Sequence, residues 1–301
     1  MNNKYLITIV GATAIGKTAL SIALAKYFNT EIISSDSRQF YKEMHIGTAV
    51  PSLEELSQAP HHFIQNRSIF ENYSVGDFER DALKKLNFLF KKHDIIIMVG
   101  GSGLYVDAVL NGLDDFPTVN PEIREKLKNE LQENGIQSLQ NQLKKLDPVT
   151  FQKIDIDNKQ RLIRALEICI GTNKPYSSYL KNKINKRNFI SIKIGITAER
   201  ETIYNRINQR VDLMIENGLI EEAKKLHPNK NLNALQTVGY RELFQYFDNE
   251  ITLDFAISEI KKNTRRFAKR QNTWFKRDPN ITWFNYQEKN ASILKHIQEL
   301  I

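Results

Sequence analysis

The stretch "YLITIVGATAIGKTALSIALAKYF", residues 5–28, combines three local patterns that together decide the fold. A short apolar run that ends at a glycine predicts a buried strand over Tyr5–Val10. Good helix formers at helical spacing predict a helix over residues 18–28. Between them, "GATAIGKT" fits the spacing G-x-x-x-x-G-K-T of a phosphate-binding loop, in which backbone N–H groups at a helix N-terminus hold phosphate oxygens. We therefore expect a di- or triphosphate site, with Lys17 at the outer phosphate and the Thr18 hydroxyl on Mg²⁺.

Further short apolar runs alternate with helical segments along the chain. Strands are predicted in "EIISSD" (residues 31–36), in "DIIIMVGG" (94–101) and in "FISIKIGI" (189–196). A helix is predicted over residues 74–93, with Ser74 as its N-cap and Asp77 in its first turn. This alternation indicates a parallel sheet with crossover helices, so ligands are expected at the carboxyl ends of the strands. The predicted fold class is α/β, with a parallel sheet core like that of the P-loop NTPases.

The middle of the chain has a different sequence pattern. Residues 121–183 show only helical patterns, with helices predicted over 121–135, 136–148 and 158–171. The first of these begins with a proline in its first turn and ends at a glycine. The segment "NKINKRN", residues 182–188, has the composition of a polar linker. We therefore predict an all-helical insertion domain over residues 116–188, inside a core formed by 1–115 and 189–301.

The composition is that of an ordinary soluble globular protein with a net charge of +8. That charge favours a polyanionic partner, although a basic cytosolic enzyme without one fits almost as well. The single cysteine excludes an internal disulfide framework and a Cys-based zinc site. No apolar run approaches the ~20 residues of a membrane span, and the N-terminal segment lacks the cleavage site of a secretory signal. We expect a cytoplasmic protein that does not enter a membrane.

Asp36 is the acid best placed to act beside the phosphate loop. P-loop NTPases hold the Mg²⁺ water shell with an acid that ends a neighbouring buried strand, but the strand "IIIMVGG" ends in glycines. Asp36 instead ends the strand "EIISSD", which predicts a metal-shell ligand or a general base. The alternative interpretation is an N-cap for a helix over "SRQFYK".

Two other segments contain side chains that could belong to a site. The glycine-rich "GGSGLY", residues 100–105, allows close backbone approach and aims the Ser102 hydroxyl at the same crevice. The pair His61 and His62 lacks a partner at metal-ligand spacing, so we interpret it as structural.

Two clusters of cations point to anionic ligands. Arg206 and Arg210 lie one helical turn apart and share a face, so one of them is a candidate phosphate ligand. On a helical wheel of residues 257–277, eight cations fall on one half without an acid among them: Lys261, Lys262, Arg265, Arg266, Lys269, Arg270, Lys276 and Arg277. Apolar residues, Phe267 among them, occupy the other half. Such a face predicts an anionic partner more readily than a solvated surface.

These motifs together resemble the tRNA dimethylallyltransferases, also called tRNA isopentenyltransferases. The resemblance runs in order along nearly the whole chain: "GATAIGKT", "SSDSRQFYKEMHIGTA", "PHHF", "YSVGDFERDA", "VGGSGLY", "NPEIREKL", "LDP", "NKQRLIRALE", "VGYRE" and "AKRQNTWFKR". The departures are small. Ala12 stands where the family usually has proline, Ser102 where threonine is more common, and "QTVGYRE" lacks a basic residue often found ahead of "VGYR". No zinc-finger extension follows, so the chain resembles the short bacterial form.

The resemblance implies that the loop binds a prenyl diphosphate with Mg²⁺ and leaves ATP unhydrolysed. The implied reaction moves the dimethylallyl group of dimethylallyl diphosphate to the exocyclic amine of an adenosine. That adenosine lies immediately 3′ of the anticodon, at position 37, in tRNAs that read codons beginning with U. The implied partners are therefore tRNA and dimethylallyl diphosphate, and we expect a monomer.

Carried over residue by residue, the resemblance also implies the site. Asp36 would be the base that engages the amine, and it would reach Mg²⁺ through water beside Thr18. Lys17, Arg210 and Ser102 would complete the catalytic set. The diphosphate would bind to Gly11, Ala12, Thr13, Ala14, Ile15, Gly16, Lys17 and Thr18. The tRNA would contact Asp36, Ser37, Arg38, Gln39, Ser102, Arg124, Gln160, Arg161, Leu162, Ile163, Arg164, Gln236, Thr237, Val238, Gly239, Tyr240, Arg241, Lys269 and Arg270.

Three other functions account for part of the sequence. A small-molecule P-loop kinase explains the loop and Asp36 but gives no role to the basic helix. An adenylate isopentenyltransferase, which modifies free adenine nucleotide, shares the core but does not need the helical insertion. A non-enzymatic RNA-binding module does not need a complete phosphate loop.

Overall fold

A computed structural model of the chain describes residues 3–180 and 186–301. The chain divides into two compact units, one formed by Met1–Asn111 with Lys186–Ile301 and the other by Gly112–Asn185. The predicted insertion, 116–188, differs from the second unit by a few residues at each end. Residues 182–185 of the predicted linker lie outside the described residues. Within the described ranges, no helix is both long and apolar enough to cross a membrane.

The first unit contains a sheet of six parallel strands in the order β3-β2-β4-β1-β5-β6. The strands are β1 Tyr5–Gly11, β2 Ile32–Ser34, β3 His61–His62, β4 Ile95–Val99, β5 Ile190–Thr197 and β6 Ile281–Asn285. The phosphate-loop strand β1 is central and completely buried, as its apolar composition predicts. β2 is shorter than predicted because the chain turns after Ser35, where the Gln39 N–H donates to the Asp36 carbonyl. The histidine pair forms the edge strand β3, with His62 Nε2 2.6 Å from Glu31 Oε2, which agrees with a structural role.

Helices cover both faces of this sheet. They are α1 Lys17–Tyr27, α2 Leu53–Gln58, α3 Val75–Leu89 and α4 Gly103–Asn111 before the second unit, and α9 Arg200–Glu216, α10 Leu219–Leu226, α11 Tyr240–Phe247, α12 Leu253–Phe275 and α13 Asn290–Gln298 after it. Ser74 caps α3, and its reciprocal hydrogen bonds with Asp77 confirm the predicted cap. One apolar cluster joins the sheet to α1, α9 and α13, and a second joins it to α3 and α4. A third cluster is formed mainly by α9, α10, α11 and α12.

The second unit is helical throughout its regular structure. Its helices are α5 Pro121–Asn134, α6 Ile136–Leu146, α7 Pro148–Lys153 and α8 Lys159–Thr172. Pro121 lies in the first turn of α5 and Gly135 ends it, as the sequence predicts, and the Asn120 side chain caps it. The short helix α7 was not predicted, and its N-cap Asp147 accepts hydrogen bonds from Thr150 and Ser177. The core of the unit includes Leu139, Leu143, Leu162 and Leu166.

Candidate active site

The phosphate loop joins β1 to α1 at the carboxyl edge of the sheet. Two of its residues adopt left-handed backbone angles, Ala14 with φ 62° and Gly16 with φ 104°, and Gly16 is the N-cap of α1. Side chains from distant parts of the chain hold the loop on both sides. Arg206 Nε donates to the Ala14 carbonyl at 2.7 Å, and the Thr13 N–H donates to Gln271 Oε1 at 2.9 Å. The loop is therefore fixed in a shape that leaves the N-terminus of α1 facing a cavity.

Lys17 lies at the base of this cavity. Its ammonium donates to the Ala12 carbonyl at 2.7 Å, and no carboxylate of the described chain lies within ion-pairing distance. Burial, opposed by the charge of Asp36 and assisted by that of Arg210, lowers the pKa of Lys17 to about 8. A lysine that forms no ion pair and whose pKa is lowered in this way is stabilised by an anionic ligand, because the ligand favours the charged form of the side chain.

Arg206 and Arg210 share a face of α9 but do different things. Arg206 is used to hold the phosphate loop, and it also stacks 5.3 Å from the ring centroid of Tyr286. Arg210 instead lines the cavity above the loop, and burial lowers its pKa. Of the two candidates that spacing alone could not separate, Arg210 is therefore the one available to a phosphate.

Asp36 lies at the turn that follows β2. Its Oδ1 accepts a hydrogen bond of 3.0 Å from the Arg38 N–H, which orients the carboxylate. The alternative interpretation of Asp36 as a helix N-cap is wrong, because residues 37–40 form turns. Across the described residues, no cation lies within 4 Å of this carboxylate, so it is not consumed in an ion pair. It is therefore available as a hydrogen-bond acceptor or base.

The glycine-rich loop after β4 lies against this turn. The Ser102 hydroxyl accepts from the Ser37 N–H and donates to the Ser37 Oγ, each at 3.0 Å. A side chain at Gly100 would overlap the Ser35 hydroxyl, with a Cβ–Oγ separation of only 2.1 Å. The glycine is required for this close approach, which brings Ser102 beside Asp36 as the sequence predicts.

Two adjoining cavities bring these groups together. The loop cavity, of about 660 Å³, lies over the phosphate loop and is lined by Lys17 and Thr18. The adjoining cavity, of about 390 Å³, is lined by Ser37, Ser102 and residues of α12. We call their shared boundary the neck. It is formed by Thr13, Asp36, Thr48, Ala49, Arg210 and Met214.

The predicted RNA-facing segment 236–241 divides between surface and core. Gln236, Thr237, Val238, Gly239 and Arg241 line the adjoining cavity. Tyr240 does not, since it is fully buried and its hydroxyl donates to Glu222 Oε1 at 2.7 Å.

Two neighbours of Asp36 that were predicted to contact RNA form hydrogen bonds within the protein. Arg38 Nη1 donates to the Asn233 and Ala234 carbonyls, and Gln39 Nε2 donates to the Ala49 carbonyl.

In the helical unit, the predicted RNA contacts also separate by burial. Leu162 is 0% exposed and Ile163 is buried, both in the core of the unit, so their side chains are not surface contacts. Arg124 and Arg164 share the buried carboxylate of Glu167, at 2.6 and 3.3 Å. Gln160 and Arg161 are exposed at the start of α8.

The basic face of α12 is less uniform than the sequence predicts. Lys261 pairs with Asp212 at 2.6 Å and Lys262 pairs with Glu259, so the prediction of eight cations without acids is wrong for these two. Lys269 and Arg270 are exposed, and Arg270 lines the adjoining cavity. Phe267, predicted on the apolar half, is 38% exposed and lines the same cavity.

Sequence reasoning missed two positioning residues. Gln271 is 6% exposed and joins the phosphate loop to the glycine-rich loop, because its Nε2 donates to the Gly101 carbonyl at 2.9 Å while its Oε1 holds Thr13. A signal was present, since a polar residue at this position falls within the apolar stripe of α12. Glu222 accepts from the N–H groups of His45, Ile46 and Gly47 and so fixes the loop that lines both cavities. No local sequence pattern identifies Glu222 as a positioning residue.

Comparison with known proteins places this site in context. Residues 39–278 match the family model described as IPP transferase. The chain is 61% identical over 302 residues to a tRNA dimethylallyltransferase of Flavobacterium johnsoniae, with 98% of each chain covered. It is 62% identical over 299 residues to one of Flavobacterium psychrophilum, with 97% of each covered. These alignments include the phosphate loop and Asp36, which precede the family-model match.

Solved structures agree with the sequence relatives. The full-length tRNA isopentenylpyrophosphate transferase from Bacillus halodurans has a TM-score of 0.73 and 38% identity, covering 99% of this chain and 95% of that one. A eukaryotic dimethylallyltransferase acting on tRNA has a TM-score of 0.82 and 28% identity, covering 97% of this chain and 77% of that one.

Proposed function

The chain belongs to the IPP transferase family, and we propose that it transfers a dimethylallyl group from dimethylallyl diphosphate to an adenosine of tRNA. The acceptor atom is the exocyclic amine, N6, of the adenosine immediately 3′ of the anticodon, in tRNAs that read codons beginning with U. The observation that carries the proposal is the pair of cavities that meet at Asp36 and Arg210. A two-substrate transfer needs one compartment for each substrate and a shared boundary where the reacting atoms meet.

The loop cavity suits the diphosphate of the donor. Its floor combines the amides at the N-terminus of α1 with Lys17, and its wall contains Arg210. Negative charge develops on the diphosphate as the bond from the allylic carbon to oxygen breaks. Preorganised cations and N–H donors around that oxygen stabilise the transition state more than the ground state. In this proposal, Lys17, Arg210 and loop residues 13–18 therefore act as a clamp for the leaving group.

The residues at the loop also suit Mg²⁺. This ion keeps several waters and takes only one or two protein ligands beside substrate phosphates. Thr18 and Asp36 line the same cavity. The Thr18 hydroxyl would bind the ion directly, and the Asp36 carboxylate would bind it through water. When bound, the ion would neutralise charge on the diphosphate.

The adjoining cavity suits the adenosine. To bring its amine to Asp36, the adenine base must leave the stacked anticodon loop and enter the cavity, and such extrusion costs a few kcal/mol. Asp36 accepts a hydrogen bond or a proton from N6, which strengthens a poor nucleophile. Ser37, Ser102, residues 236–239 and Arg241 line the cavity that the base would enter, while Lys269 and Arg270 would contact RNA phosphates.

Other parts of the proposal rest on the family rather than on the cavities. Gln160, Arg161 and the arginines beside Glu167 would contact the tRNA from the helical unit, where an RNA phosphate would compete for the arginines. We further propose that the protein acts in the cytoplasm as a monomer. Neither statement is needed for the chemistry at the neck.

The direct experiment offers dimethylallyl diphosphate to two acceptors, tRNA and AMP, and separately tests ATP as a phosphoryl donor. Purified protein with Mg²⁺ and dimethylallyl diphosphate should prenylate unmodified tRNA and leave AMP unchanged. Transfer to AMP with tRNA inert would make the protein an adenylate isopentenyltransferase. Phosphoryl transfer from ATP to a small molecule would make it a kinase.

A second experiment tests the role of Asp36. The variant Asp36→Asn preserves shape and still accepts from the Arg38 N–H, but it removes the base. Its single-turnover rate should fall by about 10²–10⁴, the usual contribution of a general base, while tRNA binding stays near that of the wild type. A normal single-turnover rate with weakened binding would refute the role of Asp36 as base.

A further inference from the structure

The neck contains few apolar groups. Of the six residues that line both cavities, four are polar or charged, and only Ala49 and Met214 present apolar side chains. Met214 lies one helical turn after Arg210 on α9, so the two side chains share a face. It is partly buried and packs against the cluster formed by α9, α10, α11 and α12.

The backbone at Ala49, the other apolar residue of the neck, is held firmly. Ala49 adopts a left-handed backbone with φ 51°, which a larger side chain tolerates poorly. Its carbonyl accepts from Gln39 Nε2 at 2.9 Å, and Glu222 binds three N–H groups of the preceding residues. The width of the neck on this side is therefore set by the backbone, and Met214 is the adjustable wall.

We propose that Met214 determines the length of prenyl group that this protein transfers. This inference rests on the proposed function, because the transferred carbon must pass between the two cavities at the neck. There the C1–O bond breaks with its electron pair leaving on the diphosphate. The N6 lone pair forms the C1–N6 bond, and the N6 proton passes to the Asp36 carboxylate. Within the neck, the apolar side chains that the carbons beyond C1 can contact are the Ala49 methyl and the Met214 thioether.

The side chain of Met214 suits a short, branched group. A thioether is flexible and polarisable, so it fits closely around methyl groups and around a carbon that carries developing positive charge. A ten-carbon allylic donor adds five carbons in the space that this side chain occupies. Met214 therefore favours the five-carbon donor by excluding the longer one.

The test compares dimethylallyl and geranyl diphosphate as donors to unmodified tRNA. Met214→Ala frees the volume of three heavy atoms, against five added carbons, so a partial gain is expected. The ratio of kcat/KM for geranyl over dimethylallyl diphosphate should rise by about tenfold, a typical effect of a few methylene groups in an apolar pocket. Met214→Leu keeps the volume and should keep the wild-type ratio.

Ile215→Ala is the matched control. Ile215 neighbours Met214 and packs against the same cluster, but it lines neither cavity. It should lose similar stability, measured by thermal unfolding, without a change in donor ratio. An unchanged ratio in Met214→Ala, in protein that remains folded, would overturn the proposal, as would an equal change in Ile215→Ala.

A further variant asks where the prenyl tail lies. Leu213 lines the loop cavity but not the neck. A gain of geranyl transfer in Leu213→Ala and not in Met214→Ala would show that the tail lies away from the neck. If wild-type protein prenylates no tRNA with dimethylallyl diphosphate, the proposed function itself fails. If it does and only the ratio is unmoved, the role of Met214 alone is refuted.

Discussion

The buried amide of Gln271 should control both the stability of the core and the shape of the phosphate loop. It forms two hydrogen bonds, one to the Thr13 N–H and one to the Gly101 carbonyl, each 2.9 Å long. The substitution Gln271→Met keeps the length of the side chain and removes both. Because Gly101 is buried, its carbonyl would be left without a donor, at a cost of about 1–3 kcal/mol. The partly exposed Thr13 N–H can regain water and loses about 0.5–1.5 kcal/mol.

These costs add to about 1.5–4.5 kcal/mol, expected as a loss in the free energy of unfolding in urea. Thr273→Ala is the matched control on the same helix, because its hydroxyl only donates to the Lys269 carbonyl one turn earlier. That control should change stability by less than about 0.5 kcal/mol.

Gln271→Met should also bind diphosphate weakly, because the loop amides are no longer held in position beside Lys17. We expect inorganic diphosphate with Mg²⁺, titrated calorimetrically, to bind at least about tenfold more weakly, which is about 1.4 kcal/mol. An unfolding free energy within 0.5 kcal/mol of wild type, together with unchanged diphosphate affinity, would refute the reasoning.

Three further predictions concern the charged groups of the site. Lys17 has a pKa of about 8, so the charged fraction of its ammonium falls about fivefold between pH 8 and 9. Diphosphate affinity should fall by the same factor, whereas Lys17→Arg should show no such fall in calorimetric titrations over the same range. Arg206→Met removes the bond to the Ala14 carbonyl and should raise the KM for the donor about ten- to hundredfold, with tRNA affinity unchanged in filter binding; an unchanged KM would show that the loop holds its shape without this contact. Lys269→Glu combined with Arg270→Glu should weaken tRNA binding and reduce its logarithmic salt slope by about 1.4, if each contacts one phosphate of single-stranded RNA; an unchanged slope would exclude those contacts.

Local features of the fold were predictable from the sequence because their causes are local. The buried strand β1, the phosphate loop and the cap at Ser74 each arise from a few neighbouring residues. The α/β fold class and the family resemblance are confirmed, and both rest on motifs that keep their spacing and order.

Features that depend on distant partners were not predictable. Gln271 finds its partners 258 and 170 residues away, and no pattern within α12 identifies them. Lys261 looks like a free cation on a helical wheel, but the fold brings Asp212 from α9 to it. Leu162 and Tyr240 belong to motifs of the family, yet the motif alone does not separate a side chain that faces the ligand from one that supports the backbone.

The central claim is that the two cavities hold a prenyl diphosphate and a tRNA adenosine, which react at the neck. The most direct measurement is nuclease digestion and mass spectrometry of unmodified tRNA after incubation with the protein, Mg²⁺ and dimethylallyl diphosphate. The account predicts a five-carbon group on one nucleotide, at N6 of the adenosine immediately 3′ of the anticodon. A five-carbon group on any other nucleotide, or tRNA of unchanged mass, would contradict it.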